Sequence, residues 1–148
     1  MKIAEALEGT QRLFLDSAPV IYYVEGHPHY VARTSAIFDR LERGAFVGVT
    51  SPVTLAECLI IPYRAGLAAI IEAFVDVIVE APSTTFVTIG QSVARRAAEL
   101  RVKYNLTLTD AMQIAAALDA GCEAFLTNDG ALRRVTELRV LVLDDLEP

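Results

Sequence analysis

EAFLTNDGALRRV, residues 123–135, decides how the chain is read. Phe125 and Leu126 suit a buried strand, and Thr127, Asn128 and Asp129 follow without a break before Gly130. A loop has no need of a carboxylate at that point. A core strand that ends in one delivers an acid to the rim of a sheet, and in open parallel sheets ligands bind beyond the carboxyl ends of the strands.

Working outward from this strand, RLFL (12–15) reads as a short buried strand that stops at Asp16, AFVGV (45–49) as a second, TTFVTI (84–89) as a third and RVLVL (139–143) as the last. Helical patterns fill the gaps. SAPVIYYVEG carries Pro19 in its first turn. Residues 30–43 place Val31, Ile37, Phe38 and Leu41 at helical spacing before Gly44. Ser51 and Pro52 open another helix, which Pro62 is expected to end or kink near Ile61. Residues 66–79 and QSVARRAAELRVKY are two more, and Thr107 or Thr109 caps DAMQIAAALDAG. GALRRV reads as a short helix. The order β-α-α-β-α-α-β-α-α-β-α-β predicts an α/β fold, a three-layer α/β/α sandwich around a central, mainly parallel sheet.

The 148 residues suggest one domain, 1–148, with its core at about 12–143. A hydrophobic share of 53% fits a sheet covered on both faces and leaves apolar surface for a partner. The net charge of −6 opposes nucleic-acid binding unless basic residues group locally or cations neutralise the acids. Cys58 and Cys122 form no CxxC pair and read as reduced, buried thiols. MKIAEALEGTQ lacks the apolar core of a signal peptide, and no apolar run approaches the roughly 18 residues of a membrane span. A cytoplasmic protein with no membrane segment is the expectation. The tail DDLEP is expected to be solvated, and residues 1–11 are amphipathic without an assigned role.

Four acids fall at one end of such a sheet. Asp16 ends the first strand and Asp129 the fourth. Glu57 lies in the second turn of the helix leaving the second strand. Asp110 opens a helix whose successor, strand 123–127, starts at the opposite edge, so that helix descends from the same rim. Alone, each has a plain reading: Asp110 as a cap or dipole partner, Glu57 as a solvated helix residue, Asp16 as a strand terminator. Together they repel, and burial penalises each. A divalent cation would relieve this, and an all-carboxylate set suits hard Mg²⁺ or Mn²⁺, ions that activate water and stabilise leaving oxygens in phosphoryl chemistry.

LFLDSAPVIYYVEG, VTLAECL, LTLTDAMQIAAAL and AFLTNDGAL, in this order, resemble the PIN-domain family, in particular the VapC-type toxins of bacterial toxin–antitoxin pairs. The resemblance runs from about residue 13 to the C-terminus. It implies a Mg²⁺- or Mn²⁺-dependent endoribonuclease that acts on RNA, forms a homodimer and is inhibited by a cognate antitoxin. It carries the catalytic and metal-holding roles to Asp16, Glu57, Asp110 and Asp129, with the hydroxyls of Ser17 and Thr127 in support. The family often has an aromatic residue shortly after the fourth acid, where this chain reads GALRRV. A non-catalytic PIN-like module acting through RNA or protein contacts is the alternative.

Several other residues admit more than one reading. Asn128 could support a ligand carboxylate or cap the short helix. Arg95, Arg96, Arg101 and Lys103 make one helix locally basic, a candidate phosphate contact or a solvated face. Tyr22, Tyr23, Ile60, Ile61 and Tyr63 could line a groove for an antitoxin helix or belong to the core. Glu25 could approach the metal edge but reads first as a solvated helix end, and His27 and His29, flanking Pro28, could ligate a softer metal but read first as a surface pair. A phosphohydrolase of the haloacid-dehalogenase type needs a second Asp two residues after the first, where this chain has Ala18.

Overall fold

The apolar runs become five short strands in a single sheet: β1 (Arg12–Leu15), β2 (Val47–Thr50), β3 (Thr84–Phe86), β4 (Ala124–Thr127) and β5 (Arg139–Val142). In this computed structural model, which describes residues 1–148, their order is β3-β2-β1-β4-β5 and every pairing is parallel. The two strands that carry Asp16 and Asp129 are neighbours, with Leu15 opposite Leu126.

Seven α-helices connect the strands: α1 (Ile3–Ala6), α2 (Ser17–Glu25), α3 (Val31–Glu42), α4 (Pro52–Ala65), α5 (Ala68–Val75), α6 (Gln91–Tyr104) and α7 (Leu108–Asp119). A π-helical turn, Asp76–Glu80, extends α5, and 3-10 turns follow β4 and β5 at Gly130–Arg134 and Leu143–Asp145. Strand side chains alternate between two cores. Leu13, Leu15, Ala124 and Leu126 face α2, α3, α4 and α5. Phe14, Val49 and Phe125 face α6 and α7, and the rings of Phe14 and Phe125 stack across β1 and β4 at 5.2 Å. The expected three-layer α/β/α sandwich is thus present, and its sheet is wholly parallel. No helix is long and apolar enough to cross a membrane.

Some expected boundaries shift. Helix α4 runs through Pro62 to Ala65 instead of ending near Ile61. Pro62 lies in the last turns, so it removes its own N–H bond and little else. Gly66, in the left-handed region at φ 67°, then stops the helix, and Leu67 N–H bonds to Pro62 O. The helix expected at 66–79 starts at Ala68, because Gly66 and Leu67 form that bend. The second strand begins at Val47 rather than at 45, since Ala45 N–H still closes α3 by bonding to Arg40 O. β3 stops at Phe86, short of residue 89, after Val87 N–H takes Thr50 O.

Both chain ends join the fold. Ile3, Ala6 and Leu7 are buried, and so is Leu146 in the tail expected to be solvated, so the core reaches beyond residues 12–143. The ends hold each other through Ile3 N–H to Glu147 O and Glu147 N–H to Met1 O. Arg33 reinforces the tail by donating to Leu146 O at 2.8 Å. Cys58 and Cys122 are free and buried, as expected.

Candidate functional site

The carboxyl rim of the sheet collects the acids because three helices start or pass there. Asp16 follows β1 directly and caps α2, its Oδ1 accepting the Ser17 N–H at 2.9 Å. The Thr127 hydroxyl, at the tip of the neighbouring strand, donates to Asp16 Oδ2 at 2.8 Å. Both oxygens are therefore engaged, and the residue is only 7% exposed. Burial pushes its pKa up; Thr127 and the Ser17 N–H pull it back, and the charge of Asp110 raises it again.

Glu57 reaches the same place from α4. Its Oε1 accepts the Ser17 hydroxyl at 3.2 Å. Its pKa is also raised, first by burial and then by the charge of Asp16, with Asp110 adding to the effect. Helix α4 is held against α2 one residue further on, where the Cys58 thiol meets Ser17 O at 3.7 Å. Asp110 sits in the first turn of α7, which Thr107 caps by accepting the Asp110 N–H at 3.3 Å. Burial raises its pKa, the Thr107 hydroxyl lowers it, and Asp129 raises it. Asp129 is exposed; its Oδ1 caps the turn Gly130–Arg134 by accepting Ala131 N–H, and its own N–H donates to Thr127 Oγ1 at 3.1 Å.

The four acids thus share one rim and feel one another's charge, and none of them forms a salt bridge. They are nonetheless spread out. No three His, Cys, Asp or Glu side chains stand close enough in this conformation to hold one ion. Mg²⁺ commonly takes one or two carboxylates and keeps several waters. An oxygen-only set of anions without a salt-bridge partner, three of them with raised pKa and only Asp110 eased by a cation, Arg134, fits such an ion in its chemistry.

Of the supporting residues named from the sequence, Ser17 and Thr127 touch acids. Asn128 does not: its Oδ1 accepts the Asp144 N–H at 3.1 Å and ties the end of β4 to the end of β5. The basic residues of α6 divide. Arg95 and Arg96 line a groove with Leu118 and Asp119 at the end of α7. Asp110 is at the other end of that helix, which is about 18 Å long. Arg101 donates to Leu106 O, and Lys103 pairs with Glu137 at 3.3 Å. His27 and His29 pack on Tyr22 and Tyr30, away from the acids.

One participant escaped the sequence reading. Gln113, one turn after Asp110 on α7, is 1% exposed. Its Oε1 accepts the Ser51 hydroxyl and its Nε2 donates to Thr54 Oγ1 at 2.9 Å. The signal was present, since an amide between Met112 and Ile114 in an alanine-rich helix must find partners if it is buried.

Comparison with known proteins places this arrangement among relatives. The PIN domain family matches residues 13–138. No curated protein sequence matches. Among solved structures, VapBC2 from Rickettsia felis, bound to a DNA fragment from its promoter, superposes with a TM-score of 0.71 at 14% identity, covering 89% of this chain and 98% of that one. VapC20 from Mycobacterium tuberculosis, a toxin that cleaves the sarcin–ricin loop, gives 0.66 at 17% identity, covering 86% and 98%. DNA-bound VapBC from Salmonella typhimurium gives 0.62 at 17%, covering 90% and 98%. At these identities the likeness is one of fold.

Proposed function

The chain belongs to the PIN domain family, and from that premise we propose that it is a metal-dependent endoribonuclease, the toxin of a toxin–antitoxin pair, working in the cytoplasm. The observation that carries this reading is Asp16: a buried carboxylate with no basic partner, within reach of the charges of Asp110 and Glu57. Its cap on α2 and the Thr127 bond offset only part of the cost of burying that charge, since burial still holds its pKa up.

Asp16, Glu57, Asp110 and Asp129 would hold Mg²⁺ or Mn²⁺, one or two of them directly and the others through water. When bound, such an ion lowers the pKa of water and neutralises charge on the leaving oxygen of a phosphodiester. The chain's own part is orientation. Thr127 and the Ser17 N–H fix both oxygens of Asp16, and the Ser17 hydroxyl fixes Glu57. Thr107 and the Asp129 cap settle the other two acids at the starts of their helical turns.

The partner follows from the surface. Ile61 and Tyr63 are 65% and 66% exposed, and Ile60 and Leu67 flank them at the end of α4. Tyr22 and Tyr23 are half-buried against the core beneath α2. An exposed apolar edge of this kind suits a homodimer contact or the apolar face of an antitoxin segment. The alternative, a non-catalytic module that binds RNA or protein, draws on the spread of the acids, no three of which share an ion site.

The test is cleavage-site mapping on total cellular RNA with purified protein. The expected result is cutting with Mg²⁺ or Mn²⁺ that leaves a 5′-phosphate and a 3′-hydroxyl and stops in excess EDTA. Undiminished cutting in EDTA, or a 2′,3′-cyclic phosphate product, overturns the mechanism. RNA or protein binding without any cutting selects the non-catalytic reading.

A further inference from the structure

Gln113 lies where three of the acid-bearing elements meet. It sits on α7 one turn from Asp110, on the same helical face. Its amide spans the N-terminus of α4. Oε1 accepts the Ser51 hydroxyl and Nε2 donates to Thr54 Oγ1. Ser51 and Thr54 form the reciprocal cap of α4, and Thr54 is one turn before Glu57. Thr54 Oγ1 also donates to Leu15 O at 3.3 Å, the carbonyl just before Asp16. The Gln113 amide is also near enough to Asp16 to pull its pKa down. Ser51, Thr54 and Gln113 are all buried, and no buried side-chain polar atom in the protein lacks a partner.

A helix cap is complete with Ser51 and Thr54 alone, so the amide is not needed to start α4. It is also an unfavourable residue to bury on a helix face that otherwise carries Ala and Ile. What it does add is a fixed relation between helices. It joins α7 to α4 directly and, through the Thr54 hydroxyl, to the end of β1; Gln113 and Thr54 each stand one turn from an acid, and Leu15 one residue from Asp16. We infer that Gln113 is a positioning residue: its bonds to Ser51 and Thr54 set the separation of Asp110 from Glu57 and Asp16, and through that separation the affinity of the rim for a divalent cation. The inference rests on the proposed metal-dependent reading and says which residue tunes that site.

The experiment measures Mn²⁺ binding, by electron paramagnetic resonance titration and by calorimetry, on folded protein without RNA. Five chains are compared: parent, Asp110→Asn, Gln113→Leu, Ser51→Ala and Ile114→Val. Ile114 is fully buried on the same helix and outside the polar network, so its truncation controls for loosening of α7. Partners that orient metal ligands typically control affinity by roughly 10- to 100-fold. Gln113→Leu should weaken Mn²⁺ binding within that range. Ser51→Ala, which removes one of the amide's two bonds together with the side-chain cap of α4 and keeps the amide, should weaken it less, and Ile114→Val should leave it within about twofold of the parent, the change expected when orientation is untouched. Should Gln113→Leu not fold, Ser51→Ala against Ile114→Val carries the comparison.

Parent-like Mn²⁺ affinity in Gln113→Leu, or equal losses in Ile114→Val, overturns the positioning role while leaving the metal reading intact. A parent that takes up no Mn²⁺, with Asp110→Asn no different, overturns the metal reading and this inference with it.

Discussion

Replacing Asp110 by Asn separates a structural acid from a functional one. The substitution keeps the shape of the side chain, and the cap at Thr107 accepts the backbone N–H of residue 110, which survives. What disappears is a charge that burial disfavours and that acts on Asp16 and Glu57. Each pK unit of such disfavour corresponds to about 1.4 kcal/mol. Asp110 is only half-buried, so solvent screening reduces the gain to about 0.5–1 kcal/mol. For a domain of this size that is an upward shift of about 1–4 °C in metal-free Tm. Added Mg²⁺ stabilises the parent by binding the folded state, and this increment should shrink in the mutant. Cleavage should fall by orders of magnitude. The assay is a set of four melting curves, parent and mutant with and without Mg²⁺, beside an RNA cleavage gel. A mutant that melts well below the parent without metal would make Asp110 a structural cap. A mutant that cleaves normally refutes its role in the site whatever the curves show.

Thr127→Val should behave oppositely. It removes a donor to buried Asp16 and the acceptor of Asp129 N–H, and metal-free stability should drop by about 1.5–3 kcal/mol; an unchanged urea midpoint would mean that the contact holds nothing. The pH dependence has a definite sign. Asp16, Glu57 and Asp110 have folded pKa values raised above 3.8, 4.5 and 3.8, so their contribution is complete below those values and lost as pH rises through the folded ones. Glu123 and Glu137, held below 4.5 by the Arg12 N–H and the Tyr104 hydroxyl, give way only at lower pH. Metal-free stability should therefore rise as pH falls from 7 toward 4.5, and the Glu123 and Glu137 contributions are lost only below that; a steady fall from pH 7, read by urea melts, contradicts this. Ile61→Lys should shift sedimentation toward monomer without changing the far-UV spectrum, and an unaltered distribution would place the dimer contact elsewhere.

The two central strands β1 and β4 were legible because their apolar runs end abruptly in acids. Leu15 to Asp16 and Thr127 to Asp129 mark the carboxyl rim in the sequence itself, and the parallel order then fixes which end of α7 carries Asp110. The misread boundaries share a different cause. Pro62 near a helix end costs one hydrogen bond, and Gly66, a few residues on, decides where the chain turns; a rule about proline alone could not weigh the two. Ala45 took its state from Arg40 O, five residues back at the end of α3, and Leu146 from the distant apolar core beneath that helix.

The same distinction runs through the site. The acids announce themselves because a carboxylate at a strand tip is locally improbable. Their supports do not, because a hydroxyl or an amide becomes a support only when the fold brings an acid to it. Ser17 and Thr127 were within two residues of an acid and could be named. Asn128, just as close, points across the sheet edge to Asp144 instead. Asn128 lies one residue beyond the end of β4, where its amide oxygen meets the backbone of the turn that follows β5. Gln113 stood three residues from Asp110 in plain view, but its partners Ser51 and Thr54 lie some sixty positions upstream. The charges of the rim are written locally, whereas the spacing between them is held by bonds of long sequence separation. A substitution at an acid should therefore change whether the rim binds a cation, and a substitution in the Ser51–Thr54–Gln113 network should change how tightly.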